Sequence, residues 1–263
     1  MTAPSPTSLT ILGGSAAGVG TGYGCSGSLV QHDGTSVVLD LGPDTLLELR
    51  KQTDIRALDG IVVSHLHLDH ILDLFAMRFT LAYAPVPLER KIPLWVPPGG
   101  IAFFERAGEP FMVGHEHEPF MELAFEMHEY DPQEALQIGA LTITFQRSEH
   151  PMACWSMRVA IPGGRDFVYT ADTADIERLF SFGKDAHVLL SEATRKETPE
   201  PGVVETSHIS PAMAGTLATE IGAQVLILTH MFEEDDPHRA IARAQETFGG
   251  DVLQALPGVT VQW

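Results

Sequence analysis

Six consecutive residues, His65-Leu66-His67-Leu68-Asp69-His70, bring three imidazoles and a carboxylate into one short turn. Imidazole nitrogen and carboxylate oxygen are the donors that borderline divalent ions such as Zn²⁺ take. The cluster follows the apolar, β-branched run Ile61-Val62-Val63 and Ser64. A strand over that run would end at the cluster, and a loop beyond it could aim the four side chains at one point. A lone histidine is an ordinary surface or core residue, but four ligand-type residues in six positions have few structural uses.

Further ligand types sit where other strands are expected to end. His150 follows Leu141-Thr142-Ile143-Thr144-Phe145, Asp172 follows Phe167-Val168-Tyr169-Thr170, and His230 follows Val225-Leu226-Ile227-Leu228-Thr229. If these strands share one sheet edge, the side chains converge with the first cluster. Five histidines and two aspartates would then hold two metals with one carboxylate bridging. Two ions about 3.5 Å apart lower the pKa of a shared water and clamp an in-line displacement.

The elements that must position these residues read as follows. Strands are expected at Ser8 to Leu12, Ser28 to Val30 and Val37 to Leu41, the last two joined by a turn at Asp33-Gly34. Asp44 to Gln52 fits a short helix, and Leu72 to Tyr83 is apolar on a helical spacing. A strand at Leu94 to Val96 and a helix at Ile101 to Ala107 precede the least legible stretch, Glu109 to Gln133. Alternation returns at Leu141 to Phe145, Trp155 to Ile161 and Asp166 to Thr170, and Val188 to Ser191 is a short apolar strand. Ser210-Pro211 and Asp236-Pro237 each supply an N-cap and a proline at the first helical position, starting helices to about Ile221 and Thr247. Val225 to Thr229 and Val259 to Trp263 complete the strands. The pattern is mixed α/β, two sheets with outer helices and no convincing linker.

Composition narrows the function. The 263 residues are 44% hydrophobic, enough for a sizeable core. No apolar run reaches the ~20 residues of a membrane span. Met1 to Ser8 carries no positive charge and does not read as a secretory signal. Two cysteines far apart, Cys25 and Cys154, argue against a disulfide framework and for the cytoplasm. The net charge of −19, with few and scattered Lys and Arg, counts against a long polynucleotide substrate. A small anion remains compatible, because a dinuclear metal site is itself a strong local positive charge.

These motifs together resemble the metallo-β-lactamase-fold hydrolases, and among them the branch of tRNA 3′-processing endonucleases and small phosphodiesterases. The resemblance spans Thr10 to His230: HxHxDH, a His-Pro, an Asp within Tyr-Thr-Ala-Asp-Thr, and a Thr-His after a strand. It implies an αββα sandwich formed by one domain over residues 1–263. It implies one metal on His65, His67 and His150, a second on Asp69, His70 and His230, and Asp172 as the bridge. Ser191-Glu192-Ala193-Thr194 is similar to the branch's His-Glu-Ala-Thr segment, and Ser207-His208-Ile209-Ser210 to its second catalytic histidine. The implied catalytic residues are therefore His208, which protonates the leaving oxygen, Glu192, which orients it, and Asp69. The implied cofactors are two divalent ions, Zn first, with Mn or Fe compatible with the same donors. A homodimer is implied as well. The tRNA enzymes carry a long basic arm between the His-Pro and Asp motifs, whereas here only about twenty residues separate His150 from Asp172. A small phosphodiester such as a cyclic nucleotide is thus the expected substrate, hydrolysed by a metal-bridging hydroxide. The alternatives are hydrolysis of a carboxylic ester, lactone, thioester or sulfate ester, tRNA 3′-end cleavage, and a non-catalytic metal or ligand binder.

Lesser features have plainer readings. Gly22-Tyr23-Gly24-Cys25-Ser26-Gly27 spells GxGxxG with Asp40 beyond it, but a strand rather than a helix is expected to follow, against a dinucleotide loop. His115, His117 and His128 could form another metal cluster, although a solvated loop explains them. Phe103, Phe104, Phe111, Met112, Phe120, Met121 and Phe125 could line a substrate pocket or a subunit interface, although ordinary core packing explains each of them. Cys154 is expected to be a buried, inert thiol, and Glu233 to Asp236 a solvated turn.

Overall fold

A computed structural model describes residues 6–112, 114, 118–196 and 207–263. In chain order the first half runs β1 (Ser8–Gly13), β2 (Gly27–His32), β3 (Thr35–Leu41), α1 (Thr45–Gln52), β4 (Gly60–Val62), α2 (Leu68–Tyr83), β5 (Ile92–Val96), α3 (Gly100–Gly108) and β6 (Phe125–Glu129). The second half runs β7 (Leu136–Ile138), β8 (Leu141–Arg147), β9 (Trp155–Ala160), β10 (Phe167–Tyr169), α4 (Glu177–Phe182), β11 (Val188–Glu192), α5 (Pro211–Glu220), β12 (Val225–Thr229), α6 (Pro237–Gln245), β13 (Asp251–Gln254) and β14 (Thr260–Gln262).

The strands form two mixed sheets, ordered β14-β1-β2-β3-β4-β5-β6 and β13-β12-β11-β10-β9-β8-β7. In each sheet an antiparallel part leads into a parallel part, β3 to β6 in the first and β10 to β13 in the second. The helices lie between successive parallel strands in the chain, as parallel crossovers require.

Three apolar interfaces build four layers, the αββα sandwich. Leu9, Val37, Leu39 and Val62 of the first sheet pack against Ile143, Met157, Val159, Phe167 and Leu190 of the second. The opposite face of the first sheet, at Leu29, Val38 and Ile61, packs on Leu49 of α1 and Leu74 and Met77 of α2. Val168, Leu189, Leu226 and Leu228 do the same against Leu217 of α5 and Ala244 of α6. Both faces of the central strands are buried, so they read as continuous apolar runs.

The local signals behave as the sequence predicts. Asp33 (φ 46°) and Gly34 (φ 77°) both take the left-handed conformation of a two-residue hairpin turn. Ser210 accepts a hydrogen bond from the Met213 amide, and Asp236 one from the His238 amide, as N-caps do. Gly22 to Gly27 leads into strand β2, which removes the dinucleotide-loop reading.

Several elements differ from expectation. Helix α2 begins at Leu68, inside the ligand cluster, so Asp69 and His70 sit on its first turn rather than in a loop. Strands β6, β7 and β13 were not expected, and all three are sheet edges. Edge strands tolerate charged residues on the side that faces water, which erases the apolar alternation; β6 reads Phe-Glu-Met-His-Glu. Helix α4 is only six residues long, too short for a periodic signal. No helix among the described residues is long and apolar enough to cross a membrane.

Candidate metal centre

The ligand-type residues meet where the carboxyl ends of the two sheets' central strands come together. His65 and His67 follow β4, Asp69 and His70 start α2, His150 follows β8, Asp172 follows β10 and His230 follows β12. Donor atoms of His65, His67, His150 and Asp172 all lie within 4.8 Å of one another, as do those of Asp69, His70 and His230. Asp172 stands between the two groups. Its Oδ1 is 3.4 Å from Nε2 of His70, and its Oδ2 is 3.5 Å from Nε2 of His65, 3.6 Å from that of His230 and 3.8 Å from that of His150.

Backbone strain helps place these side chains. Asp40, Ala171 and His230 all have positive φ, at 57°, 49° and 53°. This conformation is uncommon outside glycine and gathers at functional sites. At Asp40 its origin is a β-bulge. Leu39 pairs with Ser28 and Leu41 with Gly27, which leaves Asp40 without a partner between them. The bulge turns a carboxylate out of an apolar strand toward the cluster.

Asp40 is fully buried and organises what surrounds the ligands. It accepts hydrogen bonds from the Ser64 amide (2.7 Å), the Ser64 hydroxyl (2.7 Å), the His70 Nδ1–H (2.8 Å) and the Tyr169 hydroxyl (2.8 Å). The chemistry of these partners sets the imidazole tautomers. A carboxylate can only accept, so His70 donates from Nδ1. The Ser64 proton goes to Asp40, so Ser64 Oγ accepts from His65 Nδ1 at 3.0 Å. Thr194 donates to the His230 carbonyl and accepts from His230 Nδ1 at 2.6 Å. His150 Nδ1 donates to the Ser207 carbonyl at 3.2 Å. Four histidines thereby turn Nε2 toward the centre, the arrangement that outer hydrogen bonds impose on metal-binding imidazoles. His67 instead presents Nδ1, 3.0 Å from His65 Nε2 and 3.2 Å from His150 Nε2.

The donors fit divalent ions. The nitrogen separations approach the roughly 3.4 Å of two imidazoles on one tetrahedral ion. Among the described residues His70 Nε2 and Asp172 Oδ1 are buried without a hydrogen-bond partner, although both atoms are otherwise obliged to find one. Electrostatics agree. Burial pulls His65 well below its usual range, helped by the neighbouring His70. Burial acts the same way on His70, but the charges of Asp172 and Asp40 outweigh it and raise that histidine well above its usual range. Burial would push Asp172 up, yet His230, His70 and His65 hold it well below the ordinary carboxylate range. An ionised, buried carboxylate ringed by imidazole nitrogens calls for a cation.

His208 and Glu192 join the same centre. Glu192 is the last residue of β11 and fully buried. Both its oxygens lie 3.1 Å from Nδ1 of His208, and it also accepts from the Thr173 amide at 2.6 Å. Burial pushes Glu192 above the usual carboxylate range against the opposing pull of His208. His208 lies with Asp172 and His230 in a third group of donors within 4.8 Å.

His65, His67, Asp69, His70, His150, Asp172, Glu192, His208 and His230 therefore all reach one centre. Asp40, Ser64, Tyr169 and Thr194 were missed. An aspartate inside the apolar run Val37 to Leu41 was the available signal for the first. The remaining candidates stay apart. His128 stacks on Trp95 at 5.5 Å and lies 3.4 Å from Glu126. His115 and His117 fall outside the described residues. Phe104, Phe120, Met121 and Phe125 are core residues, whereas Phe111 and Met112 are exposed. Cys25 and Cys154 are buried and unpaired. The connection from β9 to β10 spans only residues 161–166, so no arm extends there.

Residues 35–231 match the Beta-lactamase superfamily domain. The chain belongs to that superfamily and has the metallo-β-lactamase fold. It is 30% identical over 246 residues to the probable metallo-hydrolase YhfI of Bacillus subtilis, covering 89% of this chain and 90% of that protein. The crystal structure of YhfI superposes with a TM-score of 0.85 at 25% identity, covering 98% of this chain and 100% of YhfI. A diphosphatase of the PhnP family (TM-score 0.74, 20% identity, 98% of each chain) and the short form of human tRNase Z (TM-score 0.72, 20% identity, 97% and 98% of the chains) share the fold.

Proposed function

We propose that residues 1–263 form one metal-dependent hydrolase domain that cleaves a small phosphodiester, such as a cyclic nucleotide. The observation that carries this reading is the His208–Glu192 pair beside the donor cluster. We assign His65, His67 and His150 to one ion, Asp69, His70 and His230 to a second, and Asp172 to both, with Zn²⁺ as the first choice. When bound, such ions would supply an activated water and neutralise charge on the phosphoryl oxygens.

The chain's own residues do the rest. Glu192 takes the Nδ1–H of His208 on its two oxygens, which fixes the ring and stabilises its protonated form. His208 then gives its Nε2 proton to the departing oxygen as the phosphorus–oxygen bond breaks, and regains a proton from solvent. Ser64, Thr194 and the Ser207 carbonyl keep His65, His230 and His150 in register. Displacement at a phosphodiester expels a basic alkoxide that a positioned acid must protonate, and that is the role given to this pair. The diphosphatase and tRNase among the structural neighbours are consistent with chemistry at phosphorus. The net charge of −19 and the short 161–166 connection favour a small substrate over tRNA. Two free cysteines fit a reducing cytoplasm.

The test is hydrolysis of bis(p-nitrophenyl) phosphate and of 2′,3′- and 3′,5′-cyclic nucleotides by metal-loaded protein, with Asp172→Ala as control. Turnover that disappears in the control supports the reading. Bound metal without turnover rejects it in favour of carboxylic ester, lactone or thioester hydrolysis.

A further inference from the structure

A cavity of about 380 Å³ lies where the chain leaves β11 and β12, against the start of α5 and against α6. That is within the range of small-molecule sites, roughly 300–1,000 Å³. Its lining includes Arg195, Lys196, Arg239 and Arg243, four of the sixteen lysines and arginines of a chain with net charge −19. Glu234, Asp235 and Asp236 line it too, so the basic side chains outnumber the acidic ones in a molecule of opposite balance. Asp236 is already engaged in capping α6 through the His238 amide.

The cavity is joined to the catalytic groups through the chain itself. Ala193 follows Glu192, and Met231 follows His230. The Arg195 amide donates to the carbonyl of Ile209, next to His208, at 2.9 Å. Pro211, the first residue of α5, also lines the cavity and brings the positive end of that helix to it. Among the described residues, Arg195 Nε is buried without a hydrogen-bond partner and neither Arg195 nor Arg239 has an ion-pair partner. A guanidinium left this way matches a phosphate, which accepts two parallel N–H bonds from its fork.

We propose that this cavity is an anion subsite for a phosphomonoester group, so that the preferred diesters carry a second phosphate held by Arg195 and Arg239. The site itself stands on the cavity's geometry; its role as a substrate subsite rests on the phosphodiesterase reading.

Two measurements on the full chain test it. The first is calorimetric titration with inorganic phosphate, before and after chelation of metal, for wild type, Arg195→Gln, Arg239→Gln and Arg195→Lys. One phosphate site that survives chelation is expected. It should weaken about tenfold in each Gln variant, the scale of one lost charge-assisted contact, and less in Arg195→Lys. Binding that vanishes with the metal, or that is equal in all variants, overturns the site. The second is kcat/KM for thymidine 5′-(p-nitrophenyl phosphate) with and without a 3′-phosphate. The 3′-phosphate should raise it about tenfold, and Arg195→Gln should abolish the gain. Equal values in wild type overturn the subsite role. Hydrolysis of neither ester, with phosphate still held after chelation, overturns the phosphodiesterase reading and leaves the anion site standing.

Discussion

Oδ2 of Asp40 lies 2.8 Å from Nδ1 of His70 and ties the bulge in β3 to the first turn of α2 across thirty residues of sequence. The same carboxylate holds Ser64, and through it His65, so one buried acid orients a proposed ligand of each ion.

Replacing Asp40 with Asn should therefore weaken metal binding without removing a ligand. Partners of this kind contribute about 10- to 100-fold in metal affinity or activity. Competition with a chromophoric chelator would read the loss, and unchanged affinity would show that Asp40 is structural only.

His208→Ala and Asp172→Ala should separate proton donation from metal binding. Asp172→Ala should lose metal and turnover together. His208→Ala should keep its metal content and lose about 10²- to 10⁴-fold in kcat on alkyl diesters, with a smaller loss on p-nitrophenyl esters, whose leaving group needs little protonation. Metal content measured by mass spectrometry decides the assignment, because His208 also lies within 4.8 Å of the donors of Asp172 and His230. Metal lost from His208→Ala would make it a ligand rather than the acid.

Metal removal should destabilise the fold. A ligand that binds only the native state stabilises it by about 2.7 kcal/mol at a hundred times its Kd. Chelation should lower Tm, and readdition of Zn²⁺ or Mn²⁺ should restore it. An unchanged Tm would argue against ions held by the buried donors.

The thiols should be silent. Burial, followed by the charges of Asp69, Asp44 and Asp73, pushes Cys25 up to about 12, and burial raises Cys154 well above its usual range. Native protein at pH 8 should leave both thiols unreacted toward Ellman's reagent, and denatured protein should expose two. The sign for stability follows. Above pH 9 an unfolded Cys25 releases its proton while the folded one keeps it until about 12, so this group's contribution falls as pH rises through that window.

Gly42 should not tolerate a side chain. A Cβ there would collide with the carbonyl of Asp69, which already accepts the Ser26 amide at 3.1 Å. Gly42→Ala should cost about 1–3 kcal/mol, near the cost of overpacking, and a thermal melt would show it as a fall of several degrees. It should also displace Asp69, so metal affinity would fall with Tm.

The sequence by itself determined the donor set and most of the frame. Ligand chemistry is a property of residue type, and HxHxDH puts four donors within reach of any loop. Strong local signals survive folding: the Asp33-Gly34 turn, the Ser210 and Asp236 caps, and the continuous apolar runs of central strands. Edge strands β6, β7 and β13 were illegible because their pairing comes from a neighbour rather than from their own pattern. Only the tertiary structure decided which way each imidazole faces, since that depends on partners such as Asp40 and Thr194 that lie far away in sequence. It also decided where the positive charge collects. Along the chain Lys and Arg look scattered, but the exit of β11 and helix α6 gather four of them around one cavity. Coulomb attraction acts through space, so a charge pattern along the chain says little until the fold sets the distances.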